Sequence, residues 1–382
     1  MRKIYFFTRS YLPSVGGGVI TRLRKVEIFR NAGYDVTVVT PNYENKTIIC
    51  SENLIKIPYL NNKIDLWFEN FGIYEDYLDK WVRTSYRYLK DRIKKDDILF
   101  CTSGGELGMI KLGFLLKKSL GCKFVVNFHD PINYTTVNGL SRTPPVFAVK
   151  RDAFEAKYVP EADMVITSSM TLNLALKKKY PRIKIVKNCY HGYTKKIPIS
   201  IEEKKNSYPL RILYGGVLAK EQSPEILAEA ILKTTNVEGI FIGKYENYTP
   251  MLKYDKSDRI KLLPMMSHDQ YIITMSKSAD IGFLSLRGDY WGACVPSKLF
   301  EYINMGLPVL ASIPLGDAFD IINENNYGRA VYYKDMNGLI EAIKYMSNPD
   351  TLDTMRRNVF EDREKWAFDV NFANVLEWIK EL

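Results

Sequence analysis

The feature that most limits the fold of this chain is an alternation of short apolar runs with helix-like stretches, repeated on both sides of one polar segment. At the N-terminus "KIYFFTRS" reads as a buried strand. A glycine-rich loop follows, then a helix with Val19, Leu23, Val26 and Phe29 on one side, a stop at Gly33 and a second strand, "DVTVVT". Further strands are predicted at "DILFCTS", "KFVVNFHD", "DMVITSS" and "IKIVKN", with helices such as "ELGMIKLGFLLKKSLG" and "TLNLALKKKY" between them. Parallel strands need crossovers of this kind, and near-continuous apolar runs suit a sheet covered on both faces. The Lys- and Glu-rich stretch "TKKIPISIEEKKNSYP" then reads as a linker. After it the alternation restarts with strands at "LRILYGG", "VEGIFIG", "RIKLLP", "DIGFLSL", "PVLAS" and "RAVYY". Helices such as "SPEILAEAILKTT", "SHDQYIITMSKS" and "MNGLIEAIKYMS" separate them, and a helical tail runs from Pro349 to Leu382. The pattern predicts an α/β protein of two doubly wound, Rossmann-like domains. Ligands of such sheets bind outside the carboxyl ends of the strands, so the cleft between the domains is the expected site.

Size and composition agree. A chain of 382 residues is too long for one ordinary core. A hydrophobic fraction of 46% with 26% charged residues belongs to a folded protein rather than a disordered one. The opening "MRKIYFFTRS" has too short an apolar run for a signal peptide, and no run reaches transmembrane length, so the expectation is a cytoplasmic protein. Cys50, Cys101, Cys122, Cys189 and Cys294 are odd in number and lack any C-x-x-C pair; they read as small buried hydrophobes. The net charge of +10 calls for an anionic partner: nucleic acid, phosphate-bearing metabolites or the anionic inner leaflet of a membrane. No RNA-binding signature or zinc-finger spacing is present, which makes nucleic acid the weakest of the three. The run "DLWFENFGIYEDYLDKWVRTSYRYLKDRIKK" has two readings, a core helix with a solvated face or a surface that rests on a membrane.

Three loops at strand ends could carry chemistry. "PSVGGGVITR" occupies the place of a dinucleotide fingerprint but lacks its G-x-G-x-x-G order. Its consecutive Gly16, Gly17 and Gly18 permit close backbone approach and free amides at a helix start, as an acceptor or phosphate loop would need, and a plain flexible turn is the other reading. "LYGGVLAKEQSPE" repeats the strand, glycine and helix-start order, with Lys220 placed to face a diphosphate. In "VPSKLFEYINMGLPV", Ser297 is expected as N-cap of a helix of about nine residues that Gly306 and Pro308 stop. Lys298 is the odd choice there, because a cation in the first turn opposes the helix dipole unless an anion sits against it. Of the three histidines, His129, His191 and His268, the first ends the strand "KFVVNFHD" and is expected at the cleft edge. The chain has no H-x-x-x-H and no Asp-x-Asp, so no metal site and no cofactor are expected.

Taken together, these residues resemble the GT-B fold glycosyltransferases, in particular the retaining group called family four. "PSVGGG" with "NAGYDVTVVT" is similar to that family's N-terminal glycine loop and following strand, and "GGVLAKEQSPE" to its donor-phosphate loop, with Gly216, Lys220 and Gln222 at the matching positions. "PSKLFEYINMGLPVLAS" resembles the bacterial surface-polysaccharide branch that includes N-acetylfucosamine and related amino-sugar transferases. The resemblance implies an N-terminal acceptor domain over residues 1–193, a donor domain over 194–360, and a C-terminal helix, 361–382, returning to the first domain. Glu301 matches the glutamate that binds the ribose, whereas the family's first glutamate falls on Ala293 and leaves the sugar open. Pro264 and Met265 stand where backbone atoms read the base, and His129 where a histidine lies near the transferred sugar. Pro296, Ser297 and Lys298 would hold the diphosphate. The implied catalytic set is His129, Lys220 and Glu301. The implied activity is metal-independent hexosyl or N-acetylhexosaminyl transfer from a UDP-sugar, with retention, to a lipid-linked or surface-polysaccharide acceptor, with peripheral contact to the inner face of the membrane. A nucleotide-sugar epimerase or hydrolase of the same fold, and a non-catalytic nucleotide-sugar-binding partner, are the alternatives.

Overall fold

The computed structural model describes all residues except 1, 14–16, 45, 60–62, 134–144, 203–205, 217 and 246–247. Contacts divide the chain into two compact units, Met1–Thr194 together with Asn371–Leu382, and Lys195–Val370.

The first unit is built on strands β1 (Lys3–Phe7), β2 (Asp35–Asn42), β3 (Ile49–Ser51), β4 (Leu54–Pro58), β5 (Ile98–Gly104), β6 (Lys123–Asp130), β7 (Met164–Thr167) and β8 (Val186–Asn188). They form one sheet in the order β3-β4-β2-β1-β5-β6-β7-β8, parallel throughout except that β3 runs antiparallel to β4. The apolar runs of β1, β5 and β6 are buried almost without break, as strands covered on both faces must be. Strand order reverses between β1 and β5, so their carboxyl ends flank a crevice by topology alone.

The Gly17–Asn31 helix packs Val19, Val26 and Phe29 inward, with the Phe29 ring edge-on to Phe100 at 5.2 Å. Leu23 is only partly covered, whereas Arg22 and Lys25, at the same helical spacing, are buried. Phe372, on the Phe368–Lys380 helix, meets the other side of Phe29 at 5.2 Å.

The aromatic and basic run divides between two helices, of which the second is the core helix expected. Asp79–Leu89 buries Trp81, Val82 and Leu89 in the core, while Lys63–Asn70 leaves Trp67 54% exposed. Phe71 (57%) and Ile73 (62%) are exposed just beyond it, and the Trp67 and Phe71 rings lie 4.4 Å apart. Among the described residues no helix is long and apolar enough to cross a membrane. Cys50 departs from expectation: it lies exposed on β3, where the edge position gives it no second layer to pack against, and all five cysteines are free thiols.

The second unit repeats the plan with β9 (Leu210–Gly215), β10 (Val237–Ile242), β11 (Ile260–Leu263), β12 (Ile281–Ser285), β13 (Val309–Ile313) and β14 (Gly328–Tyr332), all parallel, in the order β11-β10-β9-β12-β13-β14. Here the order reverses between β9 and β12. The Ser297–Asn304 helix follows β12 and buries Leu299, Phe300, Tyr302 and Ile303. Gly306 stops it with φ +66°, and the Leu307 amide donates back to the Tyr302 carbonyl at 2.9 Å. The start differs from the sequence expectation. Pro296, at φ −63° and ψ 134°, is the N-cap, and Ser297 is the first helical residue, exposed and making no side-chain cap. The proline ring fixes φ at a value that suits the extended cap position, so the helix begins one residue earlier; the Leu299 amide donates to the Pro296 carbonyl at 3.0 Å, and no side chain caps the first turn.

Candidate functional site

In the second unit, β9 ends at Gly215, and Gly216 turns the chain with φ +121°. The absence of a side chain there is put to use, since a Cβ on Gly216 would lie 2.5 Å from Lys298 Nζ. The ammonium also sits 4.5 Å above the Tyr214 ring. Burial lowers Lys298 to about 8, and Glu301, one turn further along the helix, opposes that shift. A half-buried ammonium held over a glycine turn and an aromatic face, at a helix start, is arranged to meet an anion.

Glu301 is three-quarters covered and receives His268 Nε2 at 3.3 Å. Hydrogen bonding to Glu301 raises the His268 imidazole above its ordinary value. His268 opens the His268–Ser278 helix, and its juxtaposition with Glu301 joins two elements 33 residues apart, so no local spacing announces it. Pro264 and Met265 follow β11 and are exposed, with Met265 64% accessible.

The loop after Gly216 is pinned to the same sheet edge. The Ser285 hydroxyl, at the end of β12, donates to the Gln222 carbonyl, and the Arg287 amide donates to the Glu221 carbonyl at 2.7 Å. Lys220 in this loop is exposed. The structure therefore brings Gly216, Lys298 and Glu301 together, sets Gln222 at the end of the neighbouring strand and leaves Lys220 at the solvent edge. Ala293 is buried within the short Asp289–Ala293 helix.

In the first unit His129 is the last residue but one of β6, partly exposed, and its carbonyl accepts from the Ser168 hydroxyl at 2.6 Å. Lys25 Nζ lies 2.9 Å from His129 Nε2 and 2.5 Å from Asn127 Oδ1. The His191 ring stands 4.7 Å from that of His129. Burial, reinforced by the Lys25 charge, lowers both imidazoles, His129 well below its ordinary value and His191 to about 3, so both are neutral near pH 7. Lys25, which pairs with no carboxylate among the described residues, is itself lowered to about 7 by burial. Gly17 and Gly18 are the first residues of their helix, and Gly16 lies outside the described residues.

Sequence reading missed Arg22 and Lys25. The signal was available: two cations three residues apart interrupt the inward face marked by Val19, Val26 and Phe29. A cavity of about 630 Å³ in the second unit holds none of these residues. It is lined by Leu210, Asn236 and Leu352 among others, and so lies at the amino ends of β9 and β10, away from the edge that carries the glycine turn.

Comparison with solved structures places this architecture. A sucrose-phosphate synthase from Thermosynechococcus elongatus superposes with a TM-score of 0.73 over 100% of this chain and 99% of its own, at 13% identity. This is the GT-B fold. The lipopolysaccharide outer core galactosyltransferase WaaB, in its apo form, matches with a TM-score of 0.71 over 99% of both chains at 14% identity. The Anabaena protein HepE, in complex with UDP-glucose, matches with 0.68 over 100% of both chains at 14% identity. No family model and no curated protein sequence matches the chain. At these identities the shared property is the GT-B fold.

Proposed function

We propose that the chain is a glycosyltransferase that moves a hexosyl or N-acetylhexosaminyl group from a UDP-sugar to a lipid-linked or surface-polysaccharide acceptor, with retention of configuration and without a metal. One observation carries the reading: Lys298 is held over Gly216 at the point where strand order reverses, with Glu301 one turn along the same helix. It is supported by the fold shared with HepE, whose structure holds UDP-glucose, and with the galactosyltransferase WaaB.

In this reading the diphosphate lies against Lys298 and the amides after Pro296, and Lys220 closes on it from the loop. Glu301 accepts hydrogen bonds from the ribose hydroxyls, and Pro264 and Met265 adjoin the base. The acceptor oxygen forms its bond to the anomeric carbon as the bond to the diphosphate oxygen breaks. The acceptor's proton leaves toward the departing phosphate, whose new charge Lys298 and Lys220 stabilise. His129, neutral, orients a hydroxyl of the transferred sugar as donor or acceptor.

The test is a thermal-shift screen against UDP-, GDP-, CMP- and dTDP-sugars, since a ligand that binds only the native state raises apparent stability by mass action. A selective response to UDP-sugars is expected, weakened about tenfold or more in Glu301→Ala. In Lys220→Ala the expected result is near-normal UDP binding with transfer lost. Near-normal turnover in both variants would sink the assignment. Rapid conversion of the donor without acceptor would favour a hydrolase or epimerase, and binding without turnover across an acceptor panel a non-catalytic partner.

The membrane part of the proposal rests on Trp67, Phe71 and Ile73, exposed beside each other in a chain of net charge +10. The protein is expected to sediment with anionic vesicles at low salt, and Trp67→Ser with Phe71→Ser to reduce that fraction several-fold. No sedimentation of the unaltered protein would exclude this surface.

A further inference from the structure

In the second unit two helices lean on consecutive glycines at the end of β9. Gly216 makes room for Lys298 of the Ser297–Asn304 helix. Gly215, the residue before it, makes room for the His268–Ser278 helix: a methyl on Gly215 would lie 2.4 Å from Tyr271 Cε2 and 2.4 Å from its hydroxyl oxygen, and Tyr271 is buried. His268 stands three residues before Tyr271, so both side chains leave their helix on one side. The Tyr271 contact fixes that helix against the strand end. His268 Nε2 then meets Glu301 Oε1 of the other helix at 3.3 Å.

The pair is poorly placed to stabilise the fold. The imidazole is half exposed and the carboxylate a quarter exposed, and ion pairs so open to water contribute little. The helix start does not depend on it either, because Ser267 is the N-cap and its hydroxyl accepts the Gln270 amide at 3.4 Å. What the contact does set is direction. A glutamate side chain turns about three torsions, and a carboxylate that nothing holds must be ordered when a ligand arrives. A carboxylate only accepts, so the imidazole carries its hydrogen on Nε2 and donates it to Oε1. Oε2 has no hydrogen-bond partner among the described residues. One oxygen is thus held by protein, and the other is left to hydroxyl groups arriving from outside.

We propose that His268 is a positioning residue for nucleotide binding: its Nε2–H holds Glu301 by Oε1 and so aims Oε2 at the ribose hydroxyls of the donor. The ribose role rests on the donor-binding reading above, whereas the pair itself rests on the geometry alone. His268 touches no part of the nucleotide in this account. It acts through Glu301, and its effect is confined to the hydroxyls that Glu301 accepts.

Two measurements on the full chain test this. The first needs no ligand. The groups that bear on the His268 imidazole are Glu301 across the helix gap, Asp269 beside it on its own helix, and Lys195, which opposes them. Nitrogen-15 spectra of the three histidines, recorded against pH, should show one imidazole titrating above the ordinary histidine value, since His129 and His191 are shifted down. Glu301→Gln should return that midpoint toward the ordinary value, and a midpoint that does not respond overturns the pair. The second compares UDP with UDP lacking both ribose hydroxyls, by calorimetry. His268→Ala is expected to weaken UDP about threefold to tenfold, the worth of one oriented hydrogen bond, and to leave the affinity for the dideoxy ligand and the melting temperature unchanged. His268→Gln, whose amide nitrogen reaches as far as Nε2, should restore most of the loss. A displaced helix would weaken both ligands alike, so equal losses, or no loss for either, overturn the positioning role. If the spectra show the pair but the unaltered protein binds neither ligand, the donor reading falls and the ribose role falls with it.

Discussion

Lys298→Met is expected to lower sugar transfer by about a hundredfold to a thousandfold, the usual loss when one preorganised donor to a developing oxyanion is removed. The melting temperature should hold or rise. Among the described residues Lys298 forms no ion pair, and its ammonium is partly desolvated against Tyr214, so methionine keeps the apolar stem and removes only the charge. A purely structural role predicts the reverse, a less stable protein with normal turnover. The lysine also gives a signature in pH. Its ammonium is lowered to about 8 in the free protein, and a bound diphosphate favours the charged form. Above pH 8 the free protein must therefore take up a proton to bind UDP, and affinity falls as pH rises through that value. Calorimetry in buffers of different ionisation enthalpy measures the uptake. Lys298→Arg should abolish it, since guanidinium stays charged throughout.

Gly216→Ala is expected to produce the second large effect, and for two separable reasons. At φ +121° a side chain costs on the order of 1–3 kcal/mol in backbone strain. A unit of this size loses roughly 2–4 °C of melting temperature per kcal/mol. Independently, the new methyl would stand 2.5 Å from Lys298 Nζ, so the ammonium must leave its place over the turn. UDP affinity should therefore fall tenfold or more, beyond anything the lost stability explains. A variant that melts earlier but binds UDP normally would show that the position of Lys298 does not matter to the nucleotide.

The order of strands and helices was legible because buried parallel strands leave continuous apolar runs and their helices leave a period of three to four. The β3 strand was not, since three exposed residues at a sheet edge carry little apolar signal, and β4 was passed over although Ile55 and Ile57 alternate inward along it. In the second unit, the oddity of Lys298 in a first turn led to the glycine turn it covers. His268 was invisible as a neighbour of Glu301, because only the packed sheet sets the starts of those two helices side by side. Arg22 and Lys25 could have been found. They sit at core spacing on a helix whose other inward residues are apolar, and a charge in such a place needs a partner. Ser297 failed as a cap for a local reason, the proline before it.

The residues from Asn371 onward belong to the first unit although the whole second unit separates them from it in the chain. Phe372 closes on Phe29, and Cys189 Sγ lies 3.5 Å from the Asn371 carbonyl oxygen. A growing chain emerging from the ribosome can therefore assemble the second unit before the first has received its last packing element. During synthesis the apolar surface around Phe29 waits uncovered for the time needed to translate some 180 further codons, about ten to forty seconds at ordinary elongation rates.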